Sequence, residues 1–113
     1  MATYYNLPVY KDSYDLLIAL FGTTKDFSRE YKYTIGETLK NETISMIVGI
    51  YKANCSYQKK EYIAGARENL EIIRLLVRLT KDLRLVNISK FAFLNEKIET
   101  LSKQLTAWHN SQT

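Results

Sequence analysis

Residues that interrupt helices are rare in this sequence. It has 113 residues but only four Gly and one Pro. An all-β domain would need turn-forming residues every ~8–12 positions, and the Asn-Gly and Asp-Gly pairs typical of tight hairpins are absent. We therefore expect an all-α chain built from a few long helices with short connections.

The bulk composition is that of one ordinary globular domain covering residues 1–113. Apolar residues make up 46% and charged residues 25%, close to globular averages. No stretch approaches the ~18 apolar residues of a membrane span, and the first residues lack the features of a secretory signal. A single Cys excludes an intramolecular disulfide. We expect a soluble, cytoplasmic protein that does not contact membranes.

Apolar residues near the N-terminus recur at steps of three and four, which is typical of an amphipathic helix. They are Tyr10, Tyr14, Leu17, Ile18 and Phe21. Pro8 precedes them, at a position where a proline costs a starting helix least. We expect the first helix over roughly residues 9–27, followed by a charged, aromatic connection over residues 28–33.

A second helix is predicted over roughly residues 34–57. Thr34 and Glu37 have the spacing of a capping box at its start. Its apolar stripe consists of Ile35, Leu39, Thr43, Met46, Ile50 and Ala53. Gly36 and Gly49 each weaken a helix by about 1 kcal/mol relative to Ala, or instead allow a neighbouring helix to approach closely.

The third helix, predicted over roughly residues 59–85, has the strongest pattern. A heptad-like seam is formed by Ile63, Ala66, Leu70, Ile73 and Val77. Further apolar residues widen the arc well beyond the ~100° that a helix of one small bundle needs. They are Ile72, Leu75, Leu76, Leu79 and Leu83. Deep burial on all sides is difficult in a four-helix domain, so we expect Ile72, Leu75 and Leu79 to form an oligomer interface.

The fourth helix is predicted over roughly residues 89–109, with Ser89 as its N-cap. Its seam repeats without interruption: Phe91, Leu94, Ile98, Leu101, Leu105 and Trp108. Four antiparallel helices with short connections predict an up-down-up-down four-helix bundle.

Basic residues of the third helix fall in one row. At 3.6 residues per turn, four of them lie within about 60°: Arg67, Arg74, Arg78 and Lys81. Glu71 can pair with Arg67 or Arg74, and Asp82 can pair with Arg78, which would make the row an ordinary solvated face. The other interpretation is a surface that contacts phosphates or carboxylates. The guanidinium group favours this interpretation because it forms bidentate contacts with both anions.

The connection after the first helix is also basic, through Arg29 and Lys32. Tyr31 and Tyr33 lie beside these cations. Such aromatic rings can stack on unpaired bases, or can simply cover the end of the bundle. We keep Arg29 and Lys32 with the basic row as candidate residues for binding nucleic acid or a protein partner.

Residues suited to catalysis or metal binding are scarce. His109 is the only histidine and Cys55 the only cysteine, whereas a zinc site needs three or four such ligands. No base is recognisable beside the thiol, and no Gly-rich phosphate loop is present. We expect a protein without catalytic residues, metal or cofactor, and therefore not an enzyme.

The last two helices resemble a known family. The run from Glu71 to Leu83, a cap near Ser89 and the closing Gln-Leu-Thr-Ala-Trp are similar to the Avd-like branch of a four-helix-bundle family. That branch contains the accessory variability determinants of bacterial diversity-generating retroelements. It is related to proteins encoded in intervening sequences of bacterial 23S ribosomal RNA genes. The resemblance extends from Tyr14 to Trp108.

The resemblance implies a function that composition does not reveal. The sharpest matches are the Arg74 and Arg78 pair and the terminal Leu105 and Trp108 pair. Relatives in the retroelement branch imply a ring-like homopentamer with a basic surface that binds a reverse transcriptase and nucleic acid, either RNA or DNA. The alternative is a structural oligomer of the ribosomal intervening-sequence type, with no nucleic-acid role.

Overall fold

The protein is a four-helix bundle. The computed structural model describes residues 6–112, so the ends of the predicted domain, residues 1–5 and 113, lie outside it. The long helices are α1 (Pro8–Thr24), α2 (Glu37–Cys55), α3 (Lys59–Asp82) and α4 (Ile88–Asn110). α2 packs between α1 and α3, and α4 packs against α3 and α1, so the four helices enclose one core. The predicted all-α bundle is confirmed.

The core contains the apolar seams predicted for α2, α3 and α4. Each seam side chain is buried or packs, half-buried, against the buried cluster. The fully buried side chains of these three helices include Leu39, Met46, Ile50, Ile63, Leu70, Ile73, Leu94, Ile98, Leu101 and Leu105. Thr43 is also buried, and its hydroxyl donates to the carbonyl of Leu39 at 2.7 Å, so its polar atom has a partner.

α1 faces the core with a different stripe from the predicted one. Its buried side chains are Val9, Ser13, Leu16, Leu20 and Thr24. Two of these are polar, which hid the stripe in the sequence. Their hydroxyls donate to helix carbonyls, Ser13 to Tyr10 and Thr24 to Leu20, each at 2.8 Å, so burial leaves neither unsatisfied. Tyr14, Ile18 and Phe21 of the predicted stripe are exposed instead.

Residues 29–36, between α1 and α2, are helical, so the predicted connection and capping box are wrong. α1 ends at Thr24, earlier than predicted, and Arg29–Tyr31 forms a helical turn that continues through the π-helix Lys32–Gly36 into α2. Thr34 lies inside this segment, and its hydroxyl donates to the carbonyl of Glu30 at 2.7 Å. A threonine whose hydroxyl binds a carbonyl one turn back cannot cap the following turn.

Two glycines lie where helices approach each other. A Cβ atom added to Gly36 would lie 3.3 Å from the Cβ of Thr24 on α1. One added to Gly49 would lie 3.8 Å from the Cβ of Ala66 on α3. Both positions therefore support close helix packing, the second of the two roles considered from the sequence.

The turn between α3 and α4 has two features that the sequence pattern did not predict. The cap of α4 is Asn87, whose Oδ1 accepts the backbone N–H of Lys90 at 2.7 Å, so the prediction of Ser89 is wrong. α3 ends in a Schellman motif, in which Leu85 N–H donates to the carbonyl of Thr80 at 2.8 Å. The motif places Arg84 in the left-handed region, with φ 61°, a position usually taken by glycine.

Candidate functional site

The basic row of α3 divides into a paired half and an exposed half. Arg74 is half-buried and forms ion pairs with Glu99 of α4 and with Glu71, the second at 3.5 Å. Arg67 is also half-buried and lines a shallow cavity with Glu68 and Glu71. Carboxylates therefore surround these two arginines, and much of their charge is compensated within the protein.

The exposed half of the row lies towards the C-terminal end of α3. Arg78 has 74% of its side chain exposed, and its Nε lies 3.9 Å from Asp82, a long ion pair in solvent. Lys81 is half-buried, with its Nζ 4.9 Å from the centroid of the Phe91 ring. Exposed ion pairs of this kind contribute little stability, so Arg78 can exchange Asp82 for an external anion at small cost.

Two connections meet at that end of the bundle. Asp26 and Phe27, which follow α1, line one cavity together with Val86, Asn87 and Lys90 of the α3–α4 turn. Arg84 projects from the same turn and is exposed. We call this part of the molecule the loop end, defined by residues 24–40 and 78–90, which lie within about one helical turn of the two connections.

The loop end carries the whole net charge of the chain. Residues 24–40 and 78–90 contain eight Lys or Arg and four Asp or Glu, whereas the rest of the chain contains eight of each. The net charge of +4 therefore belongs to one end of an elongated body, 43 Å in its longest dimension. The cations of the loop end are Lys25, Arg29, Lys32, Lys40, Arg78, Lys81, Arg84 and Lys90.

The predicted Arg29 and Lys32 belong to the loop end but not to the α3 row. Both lie in the helical segment before α2, with Arg29 exposed and Lys32 half-buried in the π-helix. Tyr33 is exposed beside them, and Tyr31 is half-buried. The structure thus brings Arg29, Lys32, Arg78 and Lys81 to one end of the bundle, and leaves Arg67 and Arg74 along its side.

An apolar stripe on α3 faces away from the core. Ile72, Leu75 and Leu79 are 40%, 67% and 37% exposed, and Leu83 continues the stripe to the end of the helix. Exposed clusters of large aliphatic side chains are typical of surfaces that contact another protein. The predicted interface residues are therefore accessible to a partner.

The part of the chain that the structure describes offers no site for metal chemistry. Within residues 6–112, no group of three or more His, Cys, Asp or Glu side chains is placed to hold a metal ion. None of the helices formed by these residues combines the length and apolar content that a membrane crossing requires.

Comparison with known proteins places this charged helical bundle in a family. Residues 9–112 match the sequence profile of the bAvd-like family. The chain belongs to the bAvd-like family. No curated protein matches the chain. The family match covers all four helices, including the loop end and the exposed stripe of α3.

Two features of the site were missed by reasoning from the sequence. Glu99 neutralises Arg74 from another helix, 25 residues away, so the pattern of α3 alone could not reveal it. Arg84 lies outside the row on the helical wheel and reaches the loop end because α3 stops in a Schellman motif. The uneven charge between the two ends of the bundle was, however, present in the sequence once the helix order was known.

Proposed function

We propose that this bAvd-like chain is a non-catalytic accessory protein of a diversity-generating retroelement. In this proposal it assembles into a homopentamer in the cytoplasm and binds a reverse transcriptase together with RNA or DNA. Membership of the bAvd-like family supports the accessory role. The confinement of the net charge of +4 to the loop end is the observation that carries the nucleic-acid part of the proposal.

The loop end suits a phosphate backbone for a simple electrostatic reason. Lys and Arg that neutralise phosphates release condensed counterions, and binding then weakens steeply with salt. Arg78 and Arg84 are both exposed. Within residues 6–112, the only ion pair described for either arginine is the long contact of Arg78 with Asp82. These two arginines, with Lys81, Arg29 and Lys32, form the proposed contact surface.

Self-association would multiply the charge available to nucleic acid. The exposed stripe of Ile72, Leu75 and Leu79 supports a contact between copies. A ring of five copies would carry about five times +4, concentrated at five equivalent ends.

Charge reversal at matched positions tests the nucleic-acid proposal. The test variant carries Arg78→Glu and Arg84→Glu at the loop end. The control carries Lys52→Glu and Lys60→Glu, which are exposed near the opposite end and change the net charge by the same amount. RNA affinity is measured by fluorescence anisotropy over a series of KCl concentrations, with circular dichroism to verify folding.

The test variant should bind RNA about tenfold more weakly or worse near physiological salt. Its slope of log affinity against log salt should fall by about 1.5, because two phosphate contacts are lost. The control should remain close to the wild type. Equal losses in both variants would show that the position of the charge is irrelevant and would contradict the assignment of the loop end.

The reverse-transcriptase partner requires its own test. A reverse-transcriptase gene beside near-identical variable and template repeats would place the chain in a retroelement. The encoded enzyme should then co-purify with this protein. Failure of the purified pair to associate would contradict the proposed partnership even if RNA binding were intact.

A structural oligomer without a nucleic-acid role is the second candidate function. The pairing of Arg74 with Glu99 and Glu71 favours it, since ion pairs that link α3 to α4 serve the fold and leave less charge for a ligand. A wild-type protein that forms oligomers but shows no salt-dependent shift of structured RNA would support this candidate over the first.

A further inference from the structure

α1 carries a second apolar stripe, which lies outside the core. Tyr14, Ile18 and Phe21 are 48%, 56% and 47% exposed, although Leu16 and Leu20 of the same helix are completely buried. A helix needs only one apolar stripe to join a core. The outer stripe is therefore available for another contact.

The outer stripe of α1 continues onto α2. Lys40 of α2 lies over Phe21, with its Nζ 5.0 Å from the ring centroid, so the two helices adjoin at this point. Further along, α2 exposes three large apolar side chains: Ile44, Val48 and Tyr51. We call the six exposed side chains on these two helices the α1/α2 surface: Tyr14, Ile18, Phe21, Ile44, Val48 and Tyr51.

The exposed stripe of α3 forms a separate surface. We call it the α3 surface: Ile72, Leu75, Leu79 and Leu83. α2 packs between α1 and α3, so the two surfaces lie on neighbouring sides of the bundle. Each surface presents large side chains in a row, and such a row can form one half of a helix-packing contact.

The charges around the two surfaces are complementary. On the outward side of α3, the helical period places Glu61, Glu68 and Asp82 with the apolar stripe. One cation, Arg78, lies at the edge of this side and pairs with Asp82 at 3.9 Å, so the net charge around the stripe is negative. All three carboxylates are exposed. This surface is therefore acidic at its rim.

The rim of the α1/α2 surface is predominantly basic. Lys11, Lys25 and Lys40 lie beside the apolar side chains, against the carboxylates of Asp15 and Glu37. Lys11 and Lys25 are exposed, and Lys40 is half-buried over Phe21. A predominantly basic rim around one apolar surface matches the acidic rim around the other.

From this complementarity we infer that the α1/α2 surface of one copy binds the α3 surface of a second copy. The inference rests on the self-association proposed above and names the two surfaces that form it. The contact is heterologous, because each copy contributes a different surface. Two contacts of about 800 Å² per partner would cover about a quarter of the 6959 Å² accessible surface of the chain.

Heterologous association has a consequence that symmetric pairing lacks. Each copy uses one surface to bind the preceding copy and the other to bind the next, so a single contact repeats around the assembly. Because the two surfaces lie on neighbouring sides of the bundle, each step turns the direction of growth, and the repeat can close into a ring.

Mixing two blocked variants tests the inference. Ile18→Asp places a charge in the α1/α2 surface, and Leu75→Asp places one in the α3 surface. Both positions are more than half exposed, so folding should persist, as circular dichroism will verify. Molar masses of each variant and of an equimolar mixture are measured by light scattering after size exclusion. Ile44→Asp serves as a second block of the α1/α2 surface.

Each blocked variant should be monomeric, whereas the equimolar mixture should form a 1:1 heterodimer and nothing larger. The mixture contains one intact α3 surface, on Ile18→Asp, and one intact α1/α2 surface, on Leu75→Asp. The control Ile88→Asp changes an exposed side chain outside both surfaces and should keep the wild-type molar mass.

The outcomes separate this inference from the proposal on which it depends. A monomeric wild type would overturn self-association itself, and this contact with it. An oligomeric wild type would leave self-association intact. In that case, a mixture that stays monomeric, an Ile18→Asp oligomer of wild-type size, or dissociation of the Ile88→Asp control would each overturn the assignment of the two surfaces alone.

Discussion

Replacing Arg84 with Gly is expected to stabilise the protein although it removes a side chain. Arg84 has φ 61° at the end of α3, where a Cβ atom is crowded by the following carbonyl. The left-handed conformation costs a non-glycine residue about 1–2 kcal/mol. Glycine loses about 0.5–1 kcal/mol more conformational entropy on folding.

The free energy of unfolding should therefore rise by about 0.5–1 kcal/mol in Arg84→Gly. For a chain of this length, that change raises Tm by about 2–4 °C. Urea unfolding followed by circular dichroism should give a higher midpoint with an unchanged m-value. All variants must be compared at one protein concentration, because oligomerisation makes apparent stability depend on concentration.

Two control substitutions separate the backbone from the side chain. Arg84→Ala removes the same charge but keeps a Cβ atom, so it should not gain the stability of Arg84→Gly. Arg78→Gly places glycine inside α3 and should destabilise by roughly 1 kcal/mol. The reasoning is refuted if Arg84→Gly is no more stable than Arg84→Ala.

Three further substitutions test the fold. Leu101→Ala removes a fully buried side chain of α4 and should cost about 2–5 kcal/mol, measured by urea unfolding. Asn87→Ala removes the cap of α4 and should cost about 1 kcal/mol of stability. Ser89→Ala should change the unfolding midpoint little. The reverse order of the two effects would mean that Ser89 is the cap. Gly65→Ala adds a Cβ atom in open space within α3 and should stabilise the protein by up to about 1 kcal/mol. An unchanged Tm in thermal unfolding would contradict this expectation.

The loop end and the two apolar surfaces have a joint consequence in a cyclic assembly. Rotation about the symmetry axis preserves height along that axis, so the loop ends of all copies would lie at one level. The positive charge would then form a continuous belt, suited to a phosphate backbone longer than one copy could bind.

Heptad patterns correctly predicted which faces of α3 and α4 pack into the core. The apolar pattern of α1 did not predict which face of that helix is buried. On α3 and α4 the seam residues, such as Leu70 and Ile98, are large and aliphatic, so one face stands out. On α1 the buried stripe includes Ser13 and Thr24, while the exposed stripe includes Ile18 and Phe21. Periodicity identifies apolar stripes, but it cannot tell which one meets the core when a helix has two.

The candidate site could also be predicted from the sequence only in part. The sequence identified Arg78, Lys81, Arg29 and Lys32 as basic residues worth testing, and their gathering at the loop end depends on the antiparallel order of the helices. The pairing of Arg74 with Glu99 joins different helices, and such contacts have no local signature.

The sequence by itself determined the all-α class, the seams of three helices and the family, since these depend on residue spacing within single segments. Only the tertiary structure decided which stripe of α1 is buried, which arginines are neutralised and where the net charge collects. Those outcomes depend on which helices become neighbours, because burial and ion pairing are properties of contacts between segments distant in the chain.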